Sequence, residues 1–293
     1  MPAHLDRRCF LQGTLAGAVA LSATGLAFSR EVTPKLKKAI KYGMVKGDLS
    51  HRDRFELVKK IGFEGVEIDS PNNYRMEELL SARDATGLPI HGVINSIHWN
   101  VRLSDPKPEV RTKARAGMVT ALDDAAAVGA DTVLLVPGVV DPNRDGDFDT
   151  VWQRSADEIR MLIPEAERRR IKIAIEVVWN NFITTPDQLC KFVDQFESPW
   201  VGAYFDCSNM IKYGVKSGDW IRKLGPRMLK FDFKGYSKEK GWVKIGEGDE
   251  DWPDVLKACA EIGYEGWATA EVAGGGEPEL RDVYERMGRV LGG

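Results

Sequence analysis

The sequence predicts a (β/α)8 barrel, a TIM-barrel architecture, on three observations. Short β-like runs alternate with amphipathic stretches eight times along the chain, the rhythm of parallel strands joined by crossover helices. The first run, Tyr42-Gly43-Met44-Val45-Lys46-Gly47-Asp48, is not followed by the G-x-G-x-x-G turn that an open doubly wound sheet would normally offer. No linker or low-complexity stretch interrupts residues 30–293, which therefore read as one domain.

The first 29 residues stand apart from that pattern. Asp6-Arg7-Arg8-Cys9-Phe10-Leu11-Gln12 leads into an apolar, Gly/Ala-rich run from Gly13 to Phe28, and Ala27 and Ser29 supply small residues for a cleavage after Ser29. This is the pattern of a secretory leader, too short and too weakly apolar for a spanning helix. Its Arg7-Arg8-x-Phe10-Leu11 core resembles the twin-arginine signals that export folded proteins. The mature chain is therefore expected to be periplasmic or secreted.

Strands are expected at 41–45, 65–69, 89–96, 132–138, 172–177, 201–206, 228–234 and 267–272. Each is short, rich in β-branched or aromatic residues, and closed by polar, Gly or Pro punctuation. Between them, 52–61 carries Phe55, Val58 and Ile61 at helical spacing and stops at Gly62, and 108–128 stops at Gly129. The helix at 185–196 opens with Thr185-Pro186-Asp187, an N-cap followed by proline at the first helical position. The helix at 252–262 has Pro253 near its start and Gly263 at its end.

Composition narrows the function. With 41 basic against 44 acidic side chains the chain has no basic field for nucleic acid. Four cysteines are too few for a disulfide framework, and Cys190, Cys207 and Cys259 are expected as buried thiols. Only His4, His51, His91 and His98 are present, which excludes metal clusters built on several imidazoles.

In a barrel of this kind the chemistry sits at the C-terminal ends of the strands. Four consecutive late strands place a carboxylate there: Glu176, Asp206, Asp232 and Glu271. Strand alternation turns Ile173, Ile175 and Val177 away from Glu176, and Gly202 and Tyr204 share the face of Asp206. Four acids converging at one mouth need compensation, which a shared cation supplies. Oxygen-only donation suits a hard divalent ion, Mn²⁺ or Mg²⁺ before Ca²⁺, rather than zinc. The alternative is four ordinary strand-end caps bonded to loop amides.

Glu176-Val177-Val178-Trp179-Asn180-Asn181-Phe182, Tyr204-Phe205-Asp206-Cys207-Ser208-Asn209, Gly246-Glu247-Gly248-Asp249 and Ala270-Glu271-Val272 resemble the sugar phosphate isomerase/epimerase family of the xylose isomerase-like barrel superfamily. The resemblance implies one divalent metal held by Glu, Asp, His and Glu, with the two glutamates doubling as the acid/base pair. Glu176, Asp206 and Glu271 take three of these places, while Asp232 stands where relatives carry histidine. That exchange adds a negative charge, and Lys230 and Lys234, which share the parity of Asp232, are the candidates to offset it. The superfamily's endonuclease branch needs a histidine-rich zinc cluster that this chain lacks.

The chemistry implied is removal of a proton beside a carbonyl, with an enediolate stabilised by the metal, by Glu176 and Glu271 acting from opposite faces. His98, Trp99, Trp179, Asn180, Asn209, Lys234, Trp242 and Glu247 are candidate substrate contacts, and Glu67 and Asp69 weaker ones. Export argues against sugar phosphates, so the expected partner is an unphosphorylated sugar or keto-sugar. On a 3-keto-glycoside the same step would expel the glycosidic oxygen, making the site a lyase. A sugar-binding protein without catalysis is the third reading. No nucleic acid and no stable membrane insertion of the mature chain are expected, and homo-oligomer formation is left open.

Overall fold

The structure, a computed structural model, describes residues 34–292; the expected leader and Cys9 lie outside the described residues. Eight parallel strands close into a barrel: β1 (Lys37–Lys41), β2 (Gly65–Ser70), β3 (Ile90–Asn95), β4 (Thr132–Leu135), β5 (Lys172–Glu176), β6 (Val201–Asp206), β7 (Met228–Phe233) and β8 (Trp267–Ala270), with β1 paired to β8. The helices are α1 (His51–Ile61), α2 (Met76–Thr86), α3 (Pro108–Val128), α4 (Phe148–Arg169), α5 (Pro186–Asp194), α6 (Ser217–Leu224), α7 (Trp252–Glu261) and α8 (Glu277–Leu291). None of the described helices is long and apolar enough to cross a membrane. Cys190, Cys207 and Cys259 are buried free thiols.

Local chemistry explains the helix limits. Ser50 caps α1 by accepting from the Asp53 amide, and α1 ends where Gly62 turns left-handed at φ 118°. At α5 the Thr185 side chain accepts from the Gln188 amide while the Gln188 side chain reaches back, a reciprocal cap that seats Pro186 in the first turn.

The first strand departs from the sequence reading. Residues 42–44 form a 3-10 turn, and the ladder runs instead over Lys37–Lys41. Three lysines in that segment conceal its character as a strand; Ala39 and Ile40 are fully buried and the Lys41 side chain is enclosed in the barrel. The ladders also stop short at the mouth: β4 ends at Leu135 rather than 138, and β8 at Ala270, one residue before Glu271.

Most of the apolar core lies between strands and helices. Inside the barrel lies a small separate apolar group, Leu134, Ala174 and Tyr204 with Ile94 and Leu229. Polar side chains fill the rest of the interior. Lys41, Glu67 and Asp232 lie on the mouth side of this group; on the other, Lys230 pairs with Asp131 at 2.8 Å and donates to the His91 carbonyl at 3.1 Å. The His91 ring stacks on Trp267 at 4.1 Å. Register shifts by one residue where β2 meets β3 and where β6 meets β7, which breaks simple alternation along those strands.

Gly92 on β3 makes room for this interior, since a Cβ there would lie 2.5 Å from Glu67 Oε1. Gly92→Ala should therefore cost about 1–3 kcal/mol of stability through overpacking, read by urea denaturation. An unchanged midpoint would mean that the Glu67 side chain is not fixed beneath the mouth.

Candidate active site

Strand register builds the site. Asp206 and Asp232 are direct partners across β6 and β7, Lys41 and Glu67 across β1 and β2, and Glu176 faces Tyr204 across β5 and β6. Glu271 follows the end of β8, its amide held by the Phe233 carbonyl at 2.9 Å. One carboxylate oxygen from each of Glu176, Asp206, Asp232 and Glu271 lies within 4.8 Å of the others. Glu176, Asp206 and Asp232 are buried, and Glu271 keeps 42% of its side chain exposed to the mouth.

Two lysines enter this cluster. Lys234 lies 2.9 Å from Asp206 Oδ2 and 2.7 Å from Glu271 Oε2. Lys41, which sequence reasoning missed, lies 2.6 Å from Glu67 Oε2 and 3.0 Å from Asp232 Oδ2. Lys230, the other lysine in phase with Asp232, points to the opposite end of the barrel. The Tyr204 hydroxyl donates to Asp232 Oδ1 at 2.7 Å, lies 2.9 Å from Glu67 Oε2 and accepts from Lys41 at 3.2 Å. Four carboxylates and two ammonium groups leave two negative charges in the cluster, before Glu67 is counted.

Burial alone would strip Lys41 of its proton, but Asp232 and Glu67 hold it charged, above the usual lysine range. Burial likewise opposes the charge on Lys234, and Asp206 and Glu271 outweigh it. Burial, with the Glu271 charge beside it, pushes Glu176 up to about 8. Against burial, Lys234 and Lys41 hold Glu271 down to about 2. His98 falls to about 4 because it is buried, and its Nδ1 accepts from the Val136 amide at 3.3 Å.

The donor set fits a hard divalent ion. Glu176 Oε1, Asp206 Oδ2 and Asp232 Oδ2 are buried acceptors without a hydrogen-bond partner, and the two aspartate atoms have only the lysine ion pairs. Buried carboxylate oxygens left this way are costly unless a cation takes them. Oxygen donors suit Mg²⁺ or Mn²⁺.

Glu176, Glu271, Lys41 and Lys234 of the cluster line a cavity of about 1130 Å³, together with Asp69, His98, Trp99, Trp179, Asn209 and Trp242 among others. Trp179 stacks on Trp242 at 4.8 Å, and its indole N–H donates to the Asn209 carbonyl at 2.7 Å. Trp242 is held there by a two-stranded hairpin, Tyr236–Ser237 with Gly241–Trp242, in the loop after β7. Two of the sequence candidates lie elsewhere. Asn180 spends its amide on the Gly138 carbonyl at 2.6 Å and the Phe182 amide at 3.1 Å, bracing the loop from beneath. Glu247 turns outward to Arg286 at 2.7 Å.

Lys41→Met would strand Glu67 and Asp232 as buried unpaired charges, so a loss of about 3–5 kcal/mol is expected, partly recovered when Glu67→Gln is added, both read by urea denaturation. A proton held by Glu176 up to about pH 8 is released by the unfolded chain near 4.5. Over that window the folded state binds more protons, so metal-free protein should lose stability as pH rises. Glu271 acts oppositely, adding stability that is lost as pH falls from about 4.5 towards 2. Denaturation in chelator across pH 5–8 should show the decline in wild type and a flatter profile in Glu176→Gln.

Comparison with known proteins agrees with this architecture. Residues 55–289 match the family described as Xylose isomerase-like TIM barrel. D-psicose 3-epimerase of Ruminiclostridium cellulolyticum is 26% identical over 232 residues, 74% of this chain and 76% of that protein. The apo structure of 3-keto-D-glucoside 4-epimerase from Escherichia coli superposes with a TM-score of 0.75 at 16% identity, over 88% of this chain and 100% of that one. D-allulose 3-epimerase from Methylomonas sp. gives 0.73 at 16% identity, over 88% and 99%. With its closed eightfold barrel and a match over most of its length, the chain belongs to the xylose isomerase-like TIM barrel family.

Proposed function

We propose that this protein is an exported, divalent-metal-dependent sugar isomerase or epimerase acting on an unphosphorylated sugar or keto-sugar. The observation that carries the reading is the convergence of carboxylate oxygens from Glu176, Asp206, Asp232 and Glu271, with Glu176 Oε1 lacking any partner, beside a tryptophan-walled cavity that Glu176 and Glu271 line. Its relatives include sugar epimerases, and the Arg7-Arg8 leader supports export.

Glu176, Asp206, Asp232 and Glu271 would hold the ion, which supplies polarisation of the substrate carbonyl and its neighbouring hydroxyl when bound. Glu176 and Glu271 are the pair that takes a proton from the carbon beside the carbonyl and returns it, through an enediolate. Their environments divide the roles, since Glu176 favours its protonated form and Glu271 its ionised form. Lys234 keeps Glu271 ionised and so ready to accept the proton. Trp179 and Trp242, stacked on each other, form an apolar wall for a sugar ring, and Asn209 lies beside them.

The buried end of the cavity, away from Lys46 at its exposed rim, is a poor phosphate site. Its buried cations, Lys41 and Lys234, are already committed to carboxylates, and α8, whose N-terminus faces the rim, carries Glu277 and Glu279 in its first turn.

Exchange of substrate C–H for deuterium in D₂O, with Mn²⁺ or Mg²⁺ added, tests the proposal across free ketoses and 3-keto-glycosides. Metal-dependent exchange is expected in wild type, with a loss of about 10²-fold or more in Glu176→Gln. Product analysis then separates an epimer from an expelled aglycone. Metal binding without exchange on any of these compounds would overturn the catalytic reading in favour of sugar binding alone.

A further inference from the structure

A second chamber, of about 740 Å³, opens off the mouth between the loop after β7 and the start of α8. The two share Lys234, Trp242, Glu271 and Val272 as common wall, so the chamber begins where the catalytic cavity ends. Val243, Ile245, Pro278 and Val283 give it an apolar wall of its own, with Lys244, Glu279, Asp282 and Arg286 also in the lining.

The charged groups at its edge cancel one another. Arg286 pairs with Asp282 at 3.0 Å and with Glu247 at 2.7 Å, and Lys244 pairs with Asp282 at 2.8 Å. Glu279, on the first turn of α8, adds a negative charge to the lining. A phosphate or carboxylate therefore meets cations already paired with carboxylates and is repelled by Glu279, whereas an uncharged apolar group meets Val243, Ile245, Pro278 and Val283. A cavity of about 300–1,000 Å³ already holds a drug-sized ligand. The mouth alone thus accommodates a single sugar ring, and a second apolar compartment has no use for a free ketose.

We propose that this chamber is the subsite for the aglycone of a glycoside, an uncharged apolar or aromatic group joined to the sugar held in the mouth. The proposal deepens the reading of the mouth as a sugar site and rests on it. Trp242, with one edge in each compartment, would lie against the junction between sugar and aglycone.

The test is equilibrium binding to the Mn²⁺-supplemented protein by calorimetry, with phenyl and methyl glycosides of glucose, galactose and xylose compared in pairs. None of these carries a keto group, so binding is read without turnover. In the best-bound pair the phenyl glycoside should bind about tenfold more tightly, from the ring area it buries. Val243→Trp fills the chamber at a residue that does not line the mouth, and should bring the two affinities together while leaving the methyl glycoside unchanged. Pro278→Trp, at an exposed position of the same wall, gives the same readout should Val243→Trp fail to fold. Equal affinities in wild type, no binding of any phenyl glycoside, or a variant that weakens both members of a pair alike would each overturn the proposal. A failed deuterium exchange beside a preserved phenyl preference would sink the catalytic reading and leave the subsite standing.

Discussion

Crowded carboxylates at the barrel mouth set the terms for the rest of the structure. Glu67, Asp206 and Asp232 are withdrawn from water almost completely, and Glu176 nearly so. Carboxylates so placed do not stay ionised unless cations and donors surround them. Lys41 from β1, Lys234 from the end of β7 and the Tyr204 hydroxyl from β6 supply that surround within the protein itself. Each is useful only because the closed sheet fixes its strand beside the acids it serves.

The same constraint explains a barrel interior that is unusually polar. Barrels of this class commonly fill their axis with branched apolar side chains. Here the apolar group is small, and the charged layer at the mouth is followed at the other end by His91 and Lys230. Burial depresses the affinity of both for protons, and the Lys230 charge adds to the effect on His91. Asp131, exposed at that end, is what steadies Lys230.

The sequence disclosed some of this and concealed the rest for identifiable reasons. Strand-helix alternation is a local property, so the eightfold repeat and the last seven strands were legible, as was the convergence of Glu176, Asp206, Asp232 and Glu271 from their place at successive strand ends. Parity along β7 put Lys234 near them. Lys41 was hidden because a lysine-rich segment does not look like a strand. A reading shifted by four residues assigned it to the start of β1, at the wrong end of the barrel, when it closes that strand at the mouth. Tyr204 looked like core because its ring is core; only its hydroxyl belongs to the site. Asn180 and Glu247 follow or neighbour motif residues in sequence, but whether a loop side chain faces inward depends on backbone paths that composition does not encode.

The position of Lys41 also bears on how the protein is assembled. The first four strands carry a self-balanced pair, Lys41 with Glu67. The last four carry Glu176, Asp206, Asp232 and Glu271 with Lys234 as the one ammonium group seen among them. A C-terminal half-barrel alone therefore carries excess negative charge at its mouth, and Lys41 of β1 brings a second ammonium group to Asp232. β1 and β8 are far apart in sequence, so this ion pair goes with a ladder of high sequence separation, the kind of contact that makes folding slow. Closure of the barrel and the arrival of Lys41 beside Asp232 are therefore linked, and a chain cut short before β8 lacks the ladder that closes the sheet on β1.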